Sequence, residues 1–172
     1  ERMGGLALGG QLGVLGNARF SISQFNQDGY IENTYLERDD TNNRNELGVR
    51  FLLNTQFTDN WTLDTVLHYN DVDNGYDVFS LDNNRTTLSD EPGYDRLESD
   101  AVKTTLNYLG WDNSRLELSA SILNADTAYA FDEDWTYVGI APGWEYSSFD
   151  AYLRERKDKT AEVRWLSDAP QV

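Results

Sequence analysis

Cysteine is absent from this chain, so it can build neither a disulfide framework nor a thiolate metal site. Histidine occurs once, at His68, too few for a multi-histidine zinc centre. Basic residues are scarce: 14 Lys and Arg stand against 30 Asp and Glu, a formal charge of −16. Such a surface repels phosphate backbones, so no nucleic acid is expected as a partner, and cationic ligands or divalent ions suit it better. No apolar run reaches the ~18 residues of a membrane helix. That absence leaves membrane strands open, because each needs only ~9–11 residues, half of them polar. Motifs of hydrolytic and phosphoryl chemistry are missing too: no Gly-x-Ser-x-Gly elbow, phosphate loop or His-Glu-x-x-His occurs. Glu117 with Asp126 could be imagined as a glycosidase pair, but among so many acids chance suffices. No enzyme is expected, and no cofactor.

What the chain does have is alternation. Arg115 to Ile122 sets Leu116, Leu118, Ala120 and Ile122 on one strand face, and Arg115, Glu117, Ser119 and Ser121 on the other. The same period of two predicts strands near 5–15, 18–27, 46–55, 61–71, 101–109, 115–125 and 159–166. Short connections fall near 16–17, 56–60 and 110–114. Long polar ones fall near 28–45, 72–100 and 126–158. Short and long links take turns, which puts every short turn at one end of a single antiparallel meander, as transmembrane barrels are built. Trp61, Tyr69, Trp111 and Trp165 sit near strand ends, where interfacial girdles form, although aromatics also cover ordinary sheets. A soluble β-sandwich with the same apolar residues on its inner face, binding glycan or calcium through acidic and aromatic loops, is the competing reading.

Several stretches are similar to the barrel of TonB-dependent outer-membrane receptors. These are Asn17 to Ser23 followed by Asp28-Gly29-Tyr30-Ile31-Glu32-Asn33; Leu47 to Leu53 followed by Trp61-Thr62-Leu63 and Tyr69; and Glu162-Val163-Arg164-Trp165-Leu166-Ser167. The resemblance implies an all-β fold: part of a 22-stranded transmembrane β-barrel in the bacterial outer membrane, with about seven strands present. It also implies uptake of a ferric siderophore or similar scarce nutrient. Energy would come from the TonB complex acting on a plug domain that this sequence lacks. The full-length receptor would be a monomer in contact with outer-membrane lipid and lipopolysaccharide. The opening Glu1-Arg2-Met3-Gly4-Gly5 has no signal-peptide pattern, so mature or excised material is expected.

In that setting the long loops face ligand. Candidate contacts are Tyr76, Phe79, Tyr94 and Arg96 in the second, and Tyr129, Trp135, Tyr137, Trp144 and Tyr146 in the third, beside Phe131 and Tyr152. Tyr and Trp give large contact area at low entropic cost, or they pack the loops against one another. Arg50, Asp64, His68, Lys103, Arg115, Glu117, Glu162 and Arg164 are expected to face the lumen, with Arg50 and Asp64 paired around a short turn. Asp132-Glu133-Asp134 could help hold a divalent cation, but it lacks a fixed calcium-loop pattern, and solvated loop charge is the plainer reading. No metal site is expected.

Overall fold

The structure, a computed structural model, describes residues 1–167. Its strands, in chain order, are β1 Arg2–Gln11, β2 Asn17–Gln27, β3 Glu32–Asn33, β4 Arg44–Thr58, β5 Trp61–Tyr76, β6 Thr86–Thr87, β7 Gly93–Trp111, β8 Ser114–Asp132 and β9 Phe149–Ser167. Seven of them form one antiparallel sheet in the order β1-β2-β4-β5-β7-β8-β9, and β3 pairs with β6 in a small parallel ribbon. Each large strand neighbours the next large strand in sequence, so the sheet is a meander.

The turn chemistry explains the short ends. Asp59-Asn60 and Asp112-Asn113 are two-residue links, residue types that tolerate tight hairpins, and a register shift precedes each. The first turn is longer than Gly16-Asn17. Gly13 and Gly16 take positive φ, a 3-10 turn spans Gly13–Leu15, and the Leu12 N–H donates to the Gly16 carbonyl at 2.7 Å. The apolar Val14 and Leu15 therefore belong to the turn, not to a strand reaching residue 15.

The strands also run further than alternation suggested. β7, β8 and β9 each hold 19 residues, about 60 Å at ~3.3 Å per residue. The long connections shrink to residues 28–43, 77–92 and 133–148, all at the end opposite the short turns.

Register sorts the side chains onto two faces. Leu8, Phe20, Phe51, Leu67, Val102 and Ile122 form one continuous row on the first face. Leu63, Leu106, Leu118 and Val163 form another nearer the short turns. No described residue forms a layer over these rows. Among the described residues only Ile31 and Ala130 are fully buried apolar side chains, while Val163 is 72% and Trp165 70% exposed. A sandwich would seal this face against a second sheet of the chain, and the two-residue β3 and β6 supply none.

Candidate functional site

Polarity changes sides part-way along the sheet. Towards the short turns the first face carries the apolar rows. Beyond Tyr69 it carries Asp71, Glu98, Asp126 and Glu155, directly opposite one another on four adjacent strands. The second face does the reverse. Near the short turns it is polar. Near the long loops it presents Phe25, Val72, Leu97, Tyr129, Phe131 and Tyr152.

The eight charged residues expected on one face do share the second face by register. Their pairings differ from expectation. Arg50 lies opposite His68, not Asp64. Asp64 instead accepts from the Asn54 amide at 2.6 Å and the Asn107 amide at 3.1 Å. Arg115 reaches Glu117 at 3.5 Å and Arg164 reaches Glu162 at 2.7 Å, both along one strand. These exposed pairs contribute little stability.

The loop aromatics divide into four groups. Tyr76, Phe79, Tyr129 and Trp135 come together with Phe131 and Tyr152. Tyr76 meets Tyr129 at 4.9 Å between centroids, and Phe79 stacks on Trp135 at 4.8 Å with an interplanar angle of 7°. Strand β7 lies between Tyr76 and Tyr129. Gly93, opposite Tyr76 on that strand, lies against the backbone of Ala130 and Phe131 with no room for a Cβ, so β7 and β8 approach closely beside the rings. Burial, then the Tyr76 hydroxyl, pushes the Tyr129 phenol up to about 12. A hollow of about 430 Å³ opens beside Tyr129, Phe131, Tyr152 and Arg154.

Tyr94 and Arg96 fall outside this cluster. Register places them on the first face, where the Arg96 guanidinium lies over the Tyr94 ring at 4.5 Å and bonds Asp73 at 2.6 Å. Tyr137 stacks on Tyr35 at 4.1 Å, joining the third loop to the first. Trp144 and Tyr146 touch each other at 6.4 Å within the third loop.

Trp135 is held in the left-handed region at φ 60°, a costly conformation for a bulky residue. Two contacts hold it there: the Phe79 stack, and its own N–H donated to Asp132 Oδ1 at 3.2 Å. Strain of this kind persists where surrounding structure over-determines a position, and it gathers at ligand clamps.

Beneath the loops sits a polar knot that no periodic signal announced. Asn33 is 0% exposed, and its amide donates to Asp77 Oδ2 and to the Ser89 carbonyl, both at 2.8 Å. Its Oδ1 accepts from the Leu36 N–H at 2.8 Å, and Thr87 Oγ1 donates to Asp77 Oδ1 at 3.1 Å. The third loop joins through the Asp90 N–H, which donates to the Thr136 carbonyl at 3.1 Å. Single Asn, Ser and Thr residues in polar loops look the same in sequence whether buried or solvated. Only the crossing of three loops distinguishes them.

Asn33→Ala leaves the Leu36 N–H, the Ser89 carbonyl and Asp77 Oδ2 without the partner Asn33 supplies, a loss of about 3 kcal/mol for a buried network. Hydrogen exchange should accelerate together across 32–38 and 86–92 while the paired amides of β4 and β5 keep their protection. Acceleration confined to 32–38 would show that the loops are not joined through Asn33.

No group of three or more His, Cys, Asp or Glu side chains is gathered for a metal among the described residues. No family model, curated protein or solved structure matches the chain.

Proposed function

We propose that this chain is part of the wall of an outer-membrane β-barrel receptor. It binds a ferric siderophore or a comparable scarce nutrient on its inner face, for TonB-energised transport through a plug outside this sequence. One observation carries the reading: the outer edge of the apolar band crosses the sheet obliquely. On β2 it reaches Ile22, which is in register, strand by strand, with Lys157 on β9. On β9 the band stops at Ala161, four residues nearer the short turns. At ~3.3 Å per residue and ~4.8 Å per strand, that drop is about 13 Å over about 24 Å, a slope of about 30°. Strands of transmembrane barrels tilt by ~35–45°, so a level hydrocarbon layer would mark them with such a slanted band.

Three further features agree. Trp61 to Tyr69 is nine residues of β5, the length of a tilted membrane strand. Trp61, Tyr108, Trp111 and Trp165 form a chain of ring contacts at 4.8, 4.8 and 5.1 Å along the short-turn border of the band, where an interfacial girdle belongs. Above the band the first face is charged, as a surface meeting water and headgroups should be. The second face there bears the aromatic cluster, which this orientation turns towards the barrel's mouth.

Uptake by the whole protein in its bacterium tests the assignment. Radio-iron supplied on a panel of siderophores should enter saturably and stop when the proton gradient is collapsed. Trp135→Ala should weaken binding about tenfold or more, the scale of an aromatic hot spot. Entry that ignores the proton gradient would contradict energised transport. Unchanged binding in Trp135→Ala would remove the aromatic cluster from the site.

A further inference from the structure

We propose that Asn84, midway along the second long loop, is a glycosylation site whose amide nitrogen takes a saccharide in N-glycosidic linkage. The inference is independent of the membrane reading. It requires only that the loop meet a transferase on the exported side of the cell.

Asn84-Arg85-Thr86 has the Asn-x-Ser/Thr pattern of an N-glycan acceptor, with x other than proline. Such a short pattern arises readily by chance in an Asn-rich chain, so alone it decides little. The chain supplies its own comparison, because Asn60-Trp61-Thr62 has the same pattern. An acceptor needs an exposed amide, a hydroxyl two residues on that reaches the amide oxygen, and a nitrogen left free to attack. Both asparagines are exposed. Only Asn84 has the hydroxyl in place.

Asn84 Oδ1 accepts from the Thr86 N–H at 2.8 Å, the Thr86 hydroxyl at 2.7 Å and the Ser80 hydroxyl at 3.0 Å. A backbone N–H can only donate, so the Thr86 bond fixes which end of the amide is oxygen. Nδ2, the nucleophile, has no partner among the described residues. Three donors on Oδ1 draw electron density from the amide and acidify the Nδ2 protons. That eases the loss of one proton as the nitrogen attacks, the activation that a weak nucleophile needs.

The turn is built in advance and open to solvent. Thr86 begins β6 and pairs with Glu32 on β3, whose N–H donates to the Arg85 carbonyl at 3.0 Å. Asn83 turns the chain at φ 52°, in the left-handed region that asparagine tolerates. Residues 81–85 are all exposed, so a saccharide displaces no packed neighbour. Asn60 differs. Thr62 lies inside β5, where its hydroxyl accepts from the Asn107 amide at 3.3 Å, and no hydrogen bond joins it to the Asn60 amide.

The donor class is a saccharide carried on a lipid pyrophosphate. Nδ2 bonds to the anomeric carbon as the bond from that carbon to the pyrophosphate oxygen breaks. The pyrophosphate keeps the electron pair, and one Nδ2 proton passes to a base of the transferase.

Protein purified from its native host carries the test. Mass spectrometry of a peptide spanning 77–92 should show a saccharide mass on Asn84. Asn84→Gln and Thr86→Ala should each abolish it, whereas Thr86→Ser should keep it, because serine supplies the same hydroxyl. Asn60→Gln should leave it intact. Unchanged exchange protection of β5 and β7 in each variant excludes misfolding as the cause of a loss. An unmodified Asn84 peptide, a saccharide on Asn60 instead, or one that survives Thr86→Ala would each overturn the site.

Discussion

Leu67→Arg should prevent stable insertion of the protein into a bilayer, at a cost of about 2–4 kcal/mol for an arginine at mid-depth on a lipid-facing barrel surface. Leu67 lies between Phe51 and Val102 in the longest apolar row, and it is half-exposed with no layer above it. Hydrocarbon offers the guanidinium no hydrogen bond, and water is a band's half-height away. Ser119→Arg is the matching control. Ser119 occupies the second face of β8 opposite Glu162, where a new cation stays hydrated and gains a carboxylate neighbour. Refolding yield into lipid vesicles should fall sharply for Leu67→Arg and change little for Ser119→Arg. Equal yields would mean that the first face does not meet lipid.

Gly93→Ala should break the aromatic cluster from below. A Cβ built on Gly93 falls on the Ala130 carbonyl oxygen and lies 2.7 Å from Phe131 Cα. Both obstacles are backbone of the neighbouring strand, so no rotamer change relieves them; β7 and β8 must part at their outer end. Overpacking of this kind costs roughly 3 kcal/mol. Near-ultraviolet dichroism from the stacked rings should weaken and ligand binding should fall, while the short-turn half of the sheet keeps its exchange protection. An unaltered aromatic signal would show that β7 and β8 can separate there without cost.

The two variants act on opposite halves of the sheet, and those halves were unequally legible in sequence. Near the short turns each strand alternates against a single apolar face, so the segments around Phe51, Leu63, Leu106 and Leu118 could be read directly. Beyond Asp100 and Asn124 the apolar side chains move to the other face, and alternation loses its sign. Tyr94, Arg96 and Glu98 resemble loop residues for that reason, although they continue β7. The charge run Arg154 to Lys159 likewise hides the first half of β9. Strand pairing overrides composition there, because a neighbour already fixed in register supplies backbone partners whatever the side chains are.

The candidate site was legible as a composition and not as a geometry. Tyr76, Phe79, Tyr129 and Trp135 could be named as loop aromatics, but their meeting depends on the close approach of β7 and β8 at Gly93 and on the left-handed backbone of Trp135. Tyr94 and Arg96 share that composition yet take the first face, because they pair with Ala130 and Ala128, an even number of residues along β8 from Ile122. Asn33 and its polar neighbours carry no periodicity at all.

The absence of native cysteine opens the most direct measurement. Single cysteines placed in turn from 116 to 131 along β8, in protein reconstituted into lipid, report which face meets which solvent. The expected result is alternation up to Ile122: positions 116, 118, 120 and 122 shielded from a water-soluble maleimide and quenched by lipid-borne probes, with 117, 119 and 121 reactive. From 124 onward the lipid signal should vanish, and 124 and 126 should react with the aqueous reagent. Uniform aqueous reactivity at 116, 118, 120 and 122 in the bilayer would contradict a wall with one side in hydrocarbon.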